Sequence, residues 1–289
     1  MAPRIETVQA LTEFACRTQA ERLADALRRL FQNPDAEAIH DVRVACRRLR
    51  VFLKLTESLF RKRLIRAVRR RLKKLLKRLG SIRDAEVLSE RIHCARKAQP
   101  EVARLFDAQI QLQRLTAAVA LENEGFGTMP RLIEVLANPP ALDPRGVKRL
   151  SKIDVAEFAR DVLSDELDRL AKFADVSAET KPARLHALRI EFKKLRYTAE
   201  FFAPTLAHAK ALGEKARDYQ DLLGNLRDAL LAEEEFAPLL RRRAGQANGL
   251  NSAVAEVLEK TRIEQRSLRD EFGRRWRKSE IAKLQKRIE

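Results

Sequence analysis

A block of basic residues occurs twice, and that repetition constrains the fold more than any other feature of the chain. His40, Arg43, Arg47, Arg48, Leu49 and Arg50 return 146 residues later as His186, Arg189, Lys193, Lys194, Leu195 and Arg196. A second block, Leu79, Gly80, Arg83, Asp84 and Ala85, returns 144 residues later as Leu223, Gly224, Arg227, Asp228 and Ala229. Two motifs in the same order at nearly the same spacing describe a duplicated unit of about 140 residues, too long for a solenoid of small repeats. Apolar residues recur with the helical period almost end to end, and no segment alternates with period two. The expected fold is therefore all-α: two pseudo-symmetric antiparallel helical bundles from an internal duplication, packed about a pseudo-twofold axis.

Turn residues divide the pattern. Helices are expected at about 5–31, from Asn33 (N-cap) and Pro34 to about residue 60, at 62–79, after Gly80 with Ser81 as cap and Asp84 completing a capping box, and at 101–122. Residues 123–149, with three Gly and four Pro, read as a linker. The second half is expected to hold helices near 152–174, 182–203, 206–223, 226–243 and 251–272. The halves thus span about 5–137 and 150–273 of a single domain, followed by a basic tail, 274–289.

On a helical wheel at about 100° per residue, His40, Arg43, Arg47, Arg50 and Lys54 fall in one narrow stripe, about 21 Å long at 1.5 Å per residue. Ala45, Leu49, Phe52, Leu53 and Leu59 form a broad apolar face opposite, and Val44, Val51 and Leu55 a second apolar strip along one edge of the stripe. The second copy repeats this with His186, Arg189, Lys193 and Arg196, and with Ile190, Tyr197 and Phe201 as the adjacent strip. Like charges aligned beside apolar surface repel one another and are costly to desolvate, so an anion is expected to meet them. Internal carboxylates are scarce: residues 40–83 hold seventeen Lys/Arg against only Asp41 and Glu57. The whole chain carries a formal +18, which favours a polyanionic partner of some kind: nucleic acid, acidic membrane or polymeric phosphate.

The repeat also sorts the dense charge of 62–79. Arg66 and Lys73 correspond to Lys210 and Arg217, basic in both copies, and are candidates for a shared site. Arg70, Lys74 and Lys77 correspond to Glu214, Asp218 and Asp221 and read as exterior charge. Arg83 and Arg227 follow the glycine break, where a helix N-terminus also favours an anion; an ion pair with a neighbouring carboxylate is the competing reading. Asp84 and Asp228 are assigned to capping.

These residues resemble the CHAD family, the histidine-containing α-helical domain. The His-x-x-Arg-x-x-x-Arg-Arg-Leu-Arg block and the Leu-Gly-x-x-Arg-Asp-Ala block both occur in duplicate and in order. The resemblance implies two bundles flanking a central basic channel that binds inorganic polyphosphate. Its ligand-facing set, carried over, is His40, Arg43, Arg47 and Arg50 with His186, Arg189, Lys193 and Arg196. Lys193 and Lys194 stand where the first copy has Arg, which keeps charge but loses the bidentate fork. The alternating Glu-x-Glu-x-Lys strand of a CYTH domain, a frequent companion of CHAD, is not seen, and a stand-alone module is expected.

Catalytic readings find little support. His40 next to Asp41 has the form of a metal-binding pair, but no upstream His completes it and Ala187 replaces Asp in the second copy. The histidines and cysteines lack zinc spacing, and no glycine-rich phosphate loop is present. Cys16, Cys46 and Cys94 are expected as buried, reduced thiols. No run reaches the length of a membrane span and no signal core opens the chain, so a cytoplasmic protein is expected, with association to polyphosphate granules through its ligand. The expected function is binding of polyphosphate by electrostatic chelation, with no enzyme activity, cofactor or metal. The rivals are a nucleic-acid-binding helical protein and a scaffold recruited to granules.

Overall fold

The computed structural model describes residues 5–94, 100–136, 138, 141–242 and 249–286. The described residues form twelve helices: α1 (Val8–Gln32), α2 (Ala36–Leu55), α3 (Lys62–Arg78), α4 (Gly80–His93), α5 (Pro100–Asn123), α6 (Met129–Leu136), α7 (Pro144–Leu150), α8 (Val155–Ala171), α9 (Pro182–Phe202), α10 (Ala207–Arg242), α11 (Gly249–Arg275) and α12 (Lys278–Gln285). Two short 3-10 turns occur at Glu57–Leu59 and Phe126–Thr128. Helices α1–α6 pack on one another, as do α8–α12, and the groups join where α2 meets α9 and where α4 meets α10 and α11. One continuous apolar core runs through both, from Val8 to Leu284.

Local chemistry sets the boundaries. Thr7 caps α1, its hydroxyl accepting from the Ala10 amide. Asn33 is the C-cap of that helix, and Asp35 caps α2, accepting from Ala38 N at 2.7 Å. The expected Asn33 cap with Pro34 inside the helix is therefore corrected: the aspartate outcompetes it two residues on. Ser81 and Asp84 do not cap α4, because that helix begins at Gly80 without a side-chain cap, and both lie inside it.

Three further expectations change. Residues 123–149 are not a linker: Phe126, Met129, Ile133, Leu136 and Ala141 are buried, and α6 packs against α1. Three of the Gly and Pro residues there meet particular backbone needs. Gly125 takes φ +70°, Pro144 opens α7 behind the Asp143 cap, and Gly146 lies against the Ser58 backbone. Helices expected at 206–223 and 226–243 are one helix, α10, because buried Leu222, Leu223 and Leu226 carry it across Gly224. The tail folds back as α12, burying Ile281 and Leu284 on α8. Trp276 packs on the bundle, its Nε1 donating to the Phe173 carbonyl at 3.0 Å. The expected helix end at 243, Pro139, Pro140 and the last three residues lie outside the described residues.

Cys16 and Cys46 are buried thiols, each pushed up to about 12 by burial. Cys94 is exposed, contrary to expectation, because it stands at the C-cap of α4 instead of within the helix. Among the described residues, no helix is long and apolar enough to cross a membrane.

Candidate anion-binding seam

Helix α2 buries Ala38, Ile39, Val42, Ala45, Cys46, Leu49, Phe52 and Leu53. That leaves His40, Arg50 and Lys54 exposed, with Arg43 and Arg47 half-buried between them. Val51 and Leu55 pack against the common core, and α2 meets α9, where the rings of Phe52 and Phe201 lie 4.8 Å apart. This contact holds the two helices together, close enough for their basic stripes to interact. Phe192 steadies α9, stacked on Tyr219 at 4.8 Å and edge-on to Trp276 at 5.2 Å.

Electrostatics records the proximity. Lys193 is pushed down to about 7 by burial and by repulsion from Arg47, Arg189, Arg43 and Arg50, so one α9 ammonium feels three guanidinium groups of α2. Arg43 is pushed down to about 10 by burial and Arg47, with Asp84 opposing. Burial lowers Arg189 too, and lowers His186, where Arg189, Arg227 and Lys193 add repulsion. Among the described residues, His40, Arg47, Arg50, Lys54, His186, Arg189 and Lys193 make no hydrogen bond or ion pair, and the Nε of Arg189 is both buried and unpartnered. An unpaired, part-buried cation is costly on its own. Here several are held together.

The glycines of the repeated Leu-Gly block lie against two of these arginines. Gly80 faces Arg43, whose Nη1 donates to the Leu79 carbonyl at 2.7 Å through the break between α3 and α4. Gly224 faces Arg189, and a Cβ there would lie 3.4 Å from its Nε. Each half thus sets a seam arginine against a glycine of the second motif.

A family model for the CHAD domain matches residues 15–237. The chain belongs to the CHAD domain family. No curated protein matches the sequence. The fold is similar to the crystal structure of the CHAD domain from the plant Ricinus communis, with a TM-score of 0.65 and 20% identity, over 100% of this chain and 94% of that one. It is also similar to PptA from Streptomyces chartreusis, with a TM-score of 0.64 and 22% identity, over 93% of this chain and 99% of that one.

Other expected site residues of this CHAD domain are placed differently from the seam. Arg196 is not a bare cation: its Nε donates to Glu200 at 2.9 Å, and Glu200 also accepts from Arg48 at 2.7 Å, tying the halves together. Burial pushes the Glu200 carboxyl up, but Arg48 and Arg196 outweigh it and hold the group below the usual range. Arg83 pairs with Glu90 at 3.2 Å and Arg227 with Glu234 at 3.3 Å. Arg66, Lys73, Lys210 and Arg217 are exposed, and no hydrogen bond ties them to α2 or α9 among the described residues. Arg70, Lys74 and Lys77 are exposed as expected, Lys74 pairing with Glu124 at 3.2 Å.

Sequence reasoning missed the roles of three acids. Glu200 stands where the 146-residue offset places the counterpart of Lys54, so the signal was a sign change within the repeat. Asp84 and Asp228, expected as caps, lie beside the seam arginines. Asp228 is raised by burial, opposed by Arg189, Arg83 and Arg91, with Asp84 adding repulsion. Asp41 pairs with Arg29 of α1, which leaves no His40–Asp41 metal pair. No group of three metal-ligating side chains occurs among the described residues.

Proposed function

We propose that this CHAD domain binds inorganic polyphosphate in a cationic channel between α2 and α9, by electrostatic chelation and without catalysing a reaction. CHAD domains are a polyphosphate-associated family, and membership supports the ligand class. The observation that carries the reading is the set Arg47, Arg189 and Lys193, drawn from both halves, half-buried and without a carboxylate partner. An anion repays the repulsion stored there. A flexible chain with a negative charge on every phosphate can follow a line of cations, each guanidinium engaging two oxygens. His40, Arg43, Arg50 and Lys54 extend the line along α2, and His186 along α9. Guanidinium and ammonium donors make up most of the seam, and Asp228 lies near Arg189 without forming an ion pair with it, so the arrangement is suited to holding phosphate.

The formal +18 favours nucleic acid as the second reading. Single strands are bound through stacking on aromatic platforms, whereas Phe52, Tyr197 and Phe201 beside the stripes are buried. A duplex needs a groove-inserting surface, and the unpaired cations here lie where two helices meet. A cytoplasmic site of action, and recruitment to polyphosphate granules, follow from the proposed ligand.

The test is displacement of labelled long-chain polyphosphate by unlabelled polyphosphate, duplex DNA and single-stranded RNA at one salt concentration. Polyphosphate is expected to compete best per phosphate. Tighter competition by either nucleic acid would replace this reading with the second.

A further inference from the structure

A different face of the molecule is apolar, uncharged and bare. Among the described residues, four of the seven exposed large hydrophobic side chains stand on α5: Leu105 at 70% exposure, Leu112 at 64%, Val119 at 57% and Leu115 at 45%. With exposed Ala108 they are spaced three, four, three and four residues apart, the a/d heptad of a coiled-coil seam, about 21 Å long. The opposite side of α5 is already used: Ala103, Ile110, Ala118 and Leu121 are buried, and the helix packs on α4 and α1. A surface helix needs one apolar face to hold it to its core. This one has two.

We propose that this stripe is the dimerisation surface of the protein, pairing α5 with α5 of a second copy in antiparallel orientation. Charge argues for a like partner. Two molecules of +18 repel, yet between Asp107 and Glu122 the only charged residue of α5 is Arg114, which is bound to Glu86 at 2.8 Å and 3.0 Å. The copies can therefore meet here without opposing cations. Register follows from complementarity. Setting Leu112 against Leu115 of the second copy places Leu105 near its Glu122, Ala108 near its Val119, and exposed Arg104 beside that same Glu122. The twofold axis creates the reciprocal Arg–Glu pair, so self-complementarity is satisfied at both ends. Among the described residues, Arg104 and Glu122 make no ion pair within the single chain. An apolar patch of roughly 300–600 Å² on a monomer is commonly functional, but a standard interface covers about 800 Å² per partner. The dimer is accordingly expected to be concentration-dependent.

Sedimentation equilibrium of the full chain, free of polyphosphate, over a wide concentration range tests this. The wild type is expected to pass from one chain mass to two, more readily as salt screens the mutual repulsion, the opposite of the salt response of polyphosphate binding. Leu112→Glu with Leu115→Glu is expected to stay at one chain mass throughout, with unchanged circular dichroism. A wild type that remains monomeric, or a charged variant that associates equally, overturns the proposal. If the charged variant does not fold, L112C and L115C chains mixed in a Cys94→Ser background carry the test. A disulfide joining the two different chains is expected, and its absence under oxidation overturns the antiparallel pairing.

Discussion

Lys193 is the residue at which ligand binding becomes visible as proton uptake. In the free protein its ammonium is held down to about 7 by burial and by its guanidinium neighbours. An unfolded chain keeps that proton up to the ordinary lysine range, about 10.4. Between these values the unfolded state binds more protons, so Lys193 makes the free protein less stable below pH 7 and releases that penalty as pH rises. Phosphate reverses the balance by favouring the charged form. Binding at about pH 8 is expected to take up close to one proton, and affinity to fall as pH rises from neutrality. Calorimetric titration in two buffers of different ionisation enthalpy measures the uptake; Lys193→Arg is expected to abolish it while keeping affinity. An unchanged uptake in that variant would place the titrating group elsewhere. His186, also lowered by burial, contributes only at more acidic pH. Glu200 acts in the opposite sense, because it holds Arg48 and Arg196 away from solution anions. Glu200→Gln is expected to destabilise the fold by about 1.5–3 kcal/mol, the worth of hydrogen bonds to a charged group, while raising polyphosphate affinity. Urea unfolding beside ligand titration reads both; a fall in affinity would mean that the bridge shapes the seam instead of restraining it.

At the scale of elements, what the sequence made legible and what it hid divide along physical lines. The burial of α2 was readable, because its apolar face and its stripe are properties of one helix, and Ala45, Leu49, Phe52 and Leu53 are indeed buried. The adjacency of α2 and α9 was expected from the double repeat, and the two helices do pack together. Events that depend on contacts between distant segments were not readable. Gly224 lies in an unbroken helix because neighbouring leucines are buried, whereas the similar Gly80 follows a break at which Arg43 donates to the Leu79 carbonyl. Residues 123–149 look like a linker by composition, yet Phe126, Met129, Ile133 and Leu136 are buried there and Gly146 fits a tight contact. Gly146 shows the force of this: a Cβ there would stand 1.7 Å from the Ser58 carbonyl oxygen, backbone that cannot swing away. Gly146→Ala is expected to cost at least about 1–3 kcal/mol, the usual range for overpacking. At Gly80 the nearest atom to a Cβ is Arg43 Nη1, 3.8 Å away, so Gly80→Ala is expected to be tolerated. Denaturant unfolding of the two variants checks the contrast, and equal stabilities would contradict it.

The whole molecule poses the question of sponge or site. A formal +18 attracts any polyanion through a screened field, and that attraction is salt-dependent whatever the geometry. For a flexible single chain, log affinity is expected to fall with log salt by roughly 0.7 per phosphate neutralised. A near-flat response would exclude electrostatic chelation altogether. The seam differs from the field because Arg47, Arg189 and Lys193 are half-buried, unpaired and gathered from both halves, where a lower dielectric strengthens each contact with phosphate. Arg70, Lys74 and Lys77 are exposed on α3, Lys74 beside Glu124. Replacing either trio with Gln removes the same formal charge. The decisive measurement is polyphosphate titration of both triple variants at one salt concentration and at a pH where Lys193 is charged, each shown by circular dichroism to be folded. A site between α2 and α9 requires the first trio to lose more affinity than the second by at least about 1.4 kcal/mol, a tenfold difference. Equal losses would show that charge alone holds the ligand, and the assignment of these residues would fall.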